Sequence, residues 1–205
     1  MHLTGPEAAV FHAHETLLTT SSLVLRRAVR ELGSAPSNRR IFLDNIDPKG
    51  FNIYLNWLYN HAIAITDADG TEQPQNKDCW PKLIKHYVLS MQLEDADFAD
   101  ACTDAMISYF SHAKRSDGDL WFLDSKSKHL LYSSTRPTAY ARRLLVQMYA
   151  HVRDPVLLDE RDPVEFLAAT SKAMMNGAAE DPLLSAAACS FHEHGDSRAC
   201  YRMEI

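Results

Sequence analysis

Glycine is scarce in this sequence, and its scarcity removes several kinds of catalytic site. The 205 residues include seven glycines. None stands in the G-x-x-x-x-G-K or G-x-G-x-x-G arrangement that lets backbone amides approach phosphate groups, and no G-x-S-x-G turn presents a serine nucleophile. The sequence therefore carries no motif of a nucleotide-binding enzyme or a serine hydrolase.

Excess positive charge and long apolar runs are missing as well. Lysine and arginine number 21 against 27 acidic residues, which gives a formal charge of -6. Nucleic-acid binding depends on cationic side chains that neutralise phosphates, so we expect no nucleic-acid partner. No apolar run approaches the roughly 18 residues that a membrane-spanning helix needs, and the first residues lack the pattern of a secretory signal. We expect no membrane partner and a location in the cytoplasm or the nucleus.

The four cysteines are too few and too unevenly spaced for the disulfide framework of a secreted domain. Two of them belong to the one metal-like cluster in the sequence, in which Cys189, His192, His194 and Cys200 follow the spacing Cys-x2-His-x-His-x5-Cys. Thiolate with imidazole is a donor set that zinc prefers. A structural zinc that pins the tail is one interpretation, and a surface tail with two free thiols is the other. A catalytic zinc is disfavoured, because it needs an open position and a nearby acid or base in a cleft.

Hydrophobic periodicity predicts a largely helical first half with short strands. A strand is expected near residue 10 and another at residues 41–43. Asp47 and Pro48 form a strong helix start, because the aspartate can accept from the first-turn amides and proline at the first helical position gives up no donor that is needed. A further strand is predicted at residues 62–65.

Two amphipathic stripes predict a helical hairpin that runs from Pro81 to about Tyr109. Asp95 is expected to cap the second helix of this hairpin. Asp100 and Asp104 share one side of that helix. We interpret this acidic side as a solvated face or, alternatively, as a partner surface.

The second half is predicted to be a connection followed by two helices. Residues 113–136 are mixed and polar, which favours a connecting segment. One helix is expected from Pro137. Another is expected from Asp162, where Asp-Pro-Val-Glu has the spacing of a capping box, and Gly177 suits its end. Helices of about a dozen residues cannot bury their apolar stripes alone, so we expect them to pack on the first-half helices or on each other.

Three segments of the first half together resemble the BTB/POZ family. The segment FHAHETLLTTSS is similar to the family signature Phe-x-x-His-(Lys/Glu)-x-(Val/Leu)-Leu-x-x-x-Ser. Residues 41–65 resemble the family's strand, its Asp-Pro-x-x-Phe helix start, and the helix and strand that follow. Residues 83–106 resemble its helical hairpin. The positions that carry the resemblance in the first two segments are Phe11, His14, Leu17, Leu18, Ser22, Asp47, Pro48, Phe51, Leu55 and Tyr59.

The resemblance implies an α+β, mostly helical fold. A BTB/POZ domain, in which a small sheet is flanked by a helical cluster, is expected over residues 1–112, and a helical extension over residues 113–205. The segments YLNWLY and RRLLVQMYAH resemble those of filamentous-fungal BTB proteins that carry such an extension. The resemblance also implies an intracellular protein-protein interaction module that forms homodimers and docks other proteins. It further implies that the protein is not an enzyme and has no small-molecule substrate. In some members the partner is the cullin scaffold of a ubiquitin ligase, and others are transcription-associated scaffolds.

The N-terminus departs from the family pattern. Only residues 2–4 stand between Met1 and Gly5, where the family has a first strand that crosses to the partner subunit in many dimeric members. We expect this strand to be largely missing, which would leave unpaired backbone groups on its neighbour. Three explanations stay open: Met1 is not the true start, the dimer forms without strand exchange, or the protein does not dimerise stably.

Overall fold

The described part of the chain is mostly α-helical and contains one small sheet. The structure is a computed structural model, and it describes residues 2–4, 9–33, 40–63, 79–112, 122–176, 189–194 and 199–203. The strands are β1 (His2–Thr4), β2 (Val10–His12) and β3 (Arg40–Phe42). The helices are α1 (Glu15–Leu18), α2 (Leu23–Glu31), α3 (Pro48–Asn60), α4 (Cys79–Leu93), α5 (Ala96–His112), α6 (Ser125–Ser134), α7 (Tyr140–Val152) and α8 (Val164–Met175). Two 3₁₀ turns lie at Pro155–Leu157 and Tyr201–Met203. This composition agrees with the α+β, mostly helical class.

The sheet has the strand order β2-β1-β3, so β1 lies at its centre. The N-terminal strand that we expected to be largely missing is thus present over His2–Thr4, and it pairs with both neighbours instead of leaving one of them unpaired. β1 runs antiparallel to β2 and parallel to β3. Val10 and Phe42 are both in register with Thr4, and Phe11 and Ile41 are both in register with Leu3. Successive residues of a strand point to opposite faces of a sheet, so Val10 and Phe42 lie on one face and Phe11 and Ile41 on the other. Ile41 is buried and Phe42 is exposed, so the face that carries Phe11 and Ile41 is the core face.

Helix α3 forms the centre of the first-half core and begins as predicted. The Asp47 carboxylate accepts from the Gly50 amide at 3.0 Å, and Pro48 is the first helical residue. The Phe98 ring of α5 packs on two aromatic rings of α3, with centroid separations of 5.0 and 5.1 Å. Such aromatic pairs contribute about 0.5–1.5 kcal/mol each beyond their area burial. The buried side chains of α3 are Pro48, Phe51, Tyr54, Leu55, Trp57 and Leu58.

Helices α4 and α5 form the predicted hairpin. α4 begins two residues before Pro81, which is tolerated there because the first turn of a helix needs no amide donor from proline. Asp95 caps α5 as predicted, since its Oδ1 accepts from the Phe98 amide at 3.0 Å. The strand predicted at residues 62–65 is absent at positions 62 and 63, and the other two positions lie outside the described residues.

The second half contains one helix more than its polar pattern predicts. α6 lies inside the segment expected to be a connection, and the Asp124 carboxylate caps it by accepting from the Ser127 amide at 2.8 Å. α7 begins at Tyr140, three residues after Pro137. α6 packs on α4, and α7 packs on α5 and α8, so the expected packing of the extension is confirmed. Gly177, predicted to end the last helix, lies outside the described residues.

The capping box predicted at Asp162 does not form. α8 begins at Val164, and Pro163 occupies its N-cap position without a side-chain hydrogen bond. The Asp162 carboxylate accepts from Lys128 Nζ at 2.6 Å and from the Asp159 amide at 3.1 Å instead. Both members of the ion pair are buried. The prediction is wrong because a buried ammonium group competes with the helix end for the same carboxylate.

Candidate functional site

A turn and a short return segment bring the C-terminal cysteines and histidines together. The donor atoms of Cys189, His192, His194 and Cys200 all lie within 4.8 Å of one another. Cys189 has a left-handed backbone conformation, with φ 54°, and its carbonyl accepts from the His192 amide at 3.1 Å. His192 and Cys200 are buried, and the other two residues are half-buried. The predicted cluster is therefore assembled and could hold a metal ion.

Helix α5 forms the floor of the cluster. Asp100 and Asp104 lie one turn apart, about 6 Å along the helix axis. Asp100 Oδ1 accepts from the Glu193 amide, and Asp104 Oδ1 lies 3.0 Å from His192 Nε2. The two carboxylates thus hold two successive residues of the turn.

The acidic side of α5 is neither a solvated face nor an open partner surface, so both interpretations made from the sequence are wrong. Asp97 is 5% exposed and Asp100 is 0% exposed. The Tyr201 hydroxyl and the Arg202 guanidinium donate to Asp104 Oδ2 at 2.5 and 2.7 Å. The protein's own C-terminal residues cover this side. Residues 189–194 and 199–203 are called the C-terminal clasp below.

Glu193 fastens the clasp to helices α4 and α7. Its side chain is 3% exposed, and Oε1 accepts from the Tyr87 hydroxyl at 2.5 Å and from the Tyr140 amide at 3.0 Å. Oε2 accepts from the Arg136 guanidinium at 2.5 Å. The N-cap residue of α7 makes no side-chain hydrogen bond, and an anion is stabilised at the positive end of a helix dipole. Glu193 therefore supplies the missing cap of α7 from a distant part of the chain.

Burial and hydrogen bonding change the acid strength of the groups around the cluster. Burial raises the pKa of Asp100 to about 6, although a hydrogen bond from the clasp backbone opposes this. Burial alone would also raise the pKa of Asp104, but hydrogen bonds from His192 and Tyr201 outweigh it and lower that pKa. Burial raises the pKa of the Cys200 thiol. Asp104 is therefore an anion at neutral pH, next to a thiol that is protonated unless a metal ion is bound.

The ten positions that carry the resemblance to the BTB/POZ family differ in how deeply they are buried. The His14 amide donates to the Tyr59 hydroxyl at 3.2 Å, and their ring centroids are 6.2 Å apart. His14 thus contacts Tyr59 through both its backbone amide and its exposed ring. Leu18, Ser22, Pro48, Phe51 and Leu55 are buried, Phe11 and Leu17 are half-buried, and His14, Asp47 and Tyr59 are exposed.

The three resembling segments meet at the turn between α4 and α5. The Ser22 hydroxyl donates to the Leu93 carbonyl at 2.7 Å and caps α2 by accepting from a first-turn amide at 3.1 Å. Asp95 Oδ2 accepts from the Ser21 hydroxyl at 2.6 Å and from the Tyr54 hydroxyl at 2.7 Å. Asp95 is 1% exposed. One buried carboxylate thus joins the start of α2, the middle of α3 and the start of α5.

The spacing of cysteine and histidine predicts the four donor atoms but not their surroundings. Asp100 and Asp104 are four positions apart, so both lie on one helix face. This spacing is the sequence signal from which a contact between that face and the Cys/His segment could have been predicted. Glu193 offers no comparable signal, because its contact with Tyr140 spans 53 positions of the chain.

The interpretation of the site depends on its geometry, because the sequence comparisons identify no family. The sequence matches no protein-family model and has no significant match among curated proteins. Within the described ranges, no helix has both the length and the apolar character needed to cross a membrane.

Proposed function

We propose that this protein is a non-enzymatic protein-protein interaction module of the BTB/POZ type that associates with itself in the cytoplasm or nucleus. The observation that carries the proposal is the convergence of the three resembling segments on Asp95. Each segment has a structural role in this arrangement: Ser21 and Ser22 begin α2, Tyr54 lies on α3, and Leu93 ends α4. The proposal is supported because the three segments that resemble the family pack against one another at this one buried carboxylate.

The outer face of the sheet is the surface that we propose for contact between two copies of the chain. Val10 and Phe42 lie at one register position on the two flanking strands, and they are 51% and 65% exposed. Full burial of one large apolar side chain contributes about 1.5–3 kcal/mol. In a twofold dimer each copy contributes the same patch, so the gain is made twice.

Light scattering on the purified full chain at tens of micromolar tests this proposal. We expect the mass of a dimer, and we expect Phe42→Ser to shift it toward a monomer. Val156→Ser is the matched control, because Val156 is 85% exposed on the 3₁₀ turn rather than on the sheet. A strict monomer for the unmodified chain contradicts self-association. A dimer that is insensitive to Phe42→Ser contradicts the choice of surface.

Two narrower forms of the proposal are a substrate adaptor of a cullin-type ubiquitin ligase and a transcription-associated scaffold. The adaptor form is supported by the extension, because α6 packs on α4 and α7 packs on α5, and the BTB adaptors that this chain resembles often follow the domain with a helical pair that extends the cullin-binding surface. Capture of a cullin scaffold by the immobilised full chain is the expected result for an adaptor. If no cullin is captured, the adaptor form fails and the self-associating module remains.

A second candidate function, structural zinc binding, is favoured by the geometry of the cluster. Zinc bonds of about 2.3 Å to sulfur and 2.0–2.1 Å to nitrogen place these atoms about 3.5 Å apart in a tetrahedron. Cys200 Sγ lies 3.6 Å from His192 Nδ1. We propose that Cys189, His192, His194 and Cys200 hold zinc, and that the ion fixes the C-terminal clasp on α5 and α7. Two thiolates would balance the charge of the ion.

Elemental analysis of protein purified without chelators tests the zinc proposal. We expect one zinc per chain, lost in the variant Cys189→Ser with Cys200→Ser. Zinc at 100 times its dissociation constant adds about 2.7 kcal/mol to the free energy of unfolding, so chelation is expected to lower the melting temperature. Cys79→Ala, outside the cluster, should retain the ion. Protein without stoichiometric zinc, or with stability unchanged in the double variant, contradicts the proposal.

A further inference from the structure

His192 lies between the proposed zinc site and helix α5, and its two ring nitrogens have different neighbours. The residue is 3% exposed. Nε2 lies 3.0 Å from Asp104 Oδ1, within hydrogen-bonding distance. Nδ1 lies 3.6 Å from Cys200 Sγ and 3.8 Å from Asp100 Oδ2. One nitrogen therefore contacts α5, and the other is directed toward the cluster.

The hydrogen bond to Asp104 determines which nitrogen of His192 carries the proton. An ionised carboxylate can only accept, so the proton of the bond lies on Nε2. In a neutral imidazole the lone pair is then on Nδ1, on the side of Cys200 Sγ. A lone pair at that atom is what a metal ion requires.

We propose that Asp104 is the positioning residue of the metal centre, which selects Nδ1 of His192 as the metal-binding atom by accepting a hydrogen bond from its Nε2–H. This inference rests on the proposed zinc site and deepens it. A carboxylate partner fixes the orientation of a ligand histidine and increases its basicity. Loss of such a partner weakens metal binding by roughly 10- to 100-fold.

Asp104 is itself held in place by residues next to a proposed ligand. Tyr201 and Arg202 follow Cys200 directly, and both donate to Asp104. The segment that provides a thiolate therefore also orients the carboxylate that orients His192. Asp100 has a different role, because it accepts from the clasp backbone through Oδ1.

The zinc affinity of full-length variants, measured by competition with a chromophoric chelator, tests the assignment. Asp104→Asn preserves the shape of the side chain and removes its charge. We expect it to bind zinc roughly 10- to 100-fold more weakly, and Asp104→Glu to restore part of the affinity. Asp159→Asn is the matched control, because Asp159 also pairs with an arginine, Arg161, but in the turn before α8. Its zinc affinity should equal that of the unmodified chain.

The nitrogen NMR shifts of the histidine rings in the zinc-loaded, unmodified chain provide a second test that does not require a folded variant. We expect Nδ1 of His192 to bind the metal and Nε2 to carry a proton. Coordination through Nε2, or an unchanged zinc affinity in Asp104→Asn, overturns the positioning role and leaves zinc binding intact. If the unmodified chain binds no zinc, the proposed zinc function fails, and the assignment of Asp104 fails with it.

Discussion

Replacing Lys128 by methionine should destabilise the protein strongly, because it removes one half of a buried ion pair. The side chains of Lys128 and Asp162 are 2% and 0% exposed, and Nζ lies 2.6 Å from Oδ2. Methionine keeps the length and the apolar stem of lysine but lacks its charge. In the Lys128→Met variant the Asp162 carboxylate is left buried without its cation.

The structure allows the size of this effect to be estimated. Removing one partner of a buried ion pair costs about 3–5 kcal/mol. Lys128 Nζ also lies 4.7 Å from the ring centroid of Tyr149 and 5.0 Å from that of Phe166, and a desolvated cation–π contact contributes about 2 kcal/mol. Because methionine packs well against rings, we expect a net loss of about 3–5 kcal/mol in the free energy of unfolding. This corresponds to a fall in melting temperature of roughly 6–20 °C for a domain of this size.

The double variant Lys128→Met with Asp162→Leu separates the pair from the packing around it. Burial lowers the pKa of Lys128, although the hydrogen bond from Lys128 to Asp162 opposes this, so attraction within the pair does not fully offset its desolvation. Apolar replacement of both partners is often neutral or stabilising. The Asp159 amide loses an acceptor, so we expect the double variant to fall within about 1–2 kcal/mol of the unmodified chain.

Urea denaturation followed by circular dichroism measures both variants. Arg161→Met is the control for an exposed pair, because Arg161 is 79% exposed in its contact with Asp159, and it should leave the free energy of unfolding almost unchanged. The reasoning is refuted if Lys128→Met costs no more than this control. It is also refuted if the double variant loses the sum of the losses of Lys128→Met and Asp162→Leu.

Three further predictions concern other buried groups. Burial and two nearby lysines lower the pKa of His86 from 6.5 to about 4, so the unfolded chain binds a proton first as the pH falls. As the pH falls between these two pKa values, the free energy of unfolding should fall by roughly 3 kcal/mol. Urea titrations at several pH values measure this loss, and His86→Leu should remove it. The prediction is contradicted if the stability of His86→Leu depends on pH in the same way as that of the unmodified chain. Glu193→Gln should reduce stability by about 1–3 kcal/mol and speed amide hydrogen exchange in the first turn of α7, whereas the exposed control Glu165→Gln should do neither. Asp95→Ala should cost about 3–5 kcal/mol, because it removes a helix cap and leaves Tyr54 without its acceptor. In a double-mutant cycle, adding Tyr54→Phe to Asp95→Ala should recover part of that loss. If the losses of the two single variants simply add, the hydrogen bond between Tyr54 and Asp95 is contradicted.

Features that depend on residues close together in the chain could be predicted from the sequence. Asp47 and Asp95 cap helices as expected, because a cap joins a side chain to an amide three positions later. Helix α2 ends two residues before Gly33, whose φ of 59° is a left-handed conformation that favours glycine after a helix. The four donors of the cluster lie within a dozen positions, so their spacing alone indicated a common site.

Features that depend on distant partners could not be predicted in the same way. Asp162 has the local pattern of a helix cap, but Lys128, 34 positions earlier, takes its carboxylate. Asp104 has the local pattern of a solvated acid, but His192, 88 positions later, contacts it. In both cases a single sequence shows the polar side chain without showing the group that it meets when it is buried.

The spacing of Asp100 and Asp104 constrains the position of the C-terminal clasp on α5. Their carboxylates hold Glu193 and His192, which are neighbours in the chain, so the clasp has one register on α5. The chain therefore carries a composite pattern, Asp-x3-Asp followed by Cys-x2-His-x-His-x5-Cys, whose two parts meet in the folded protein. Relatives that have diverged elsewhere can be sought by this pattern even where the rest of the sequence no longer aligns.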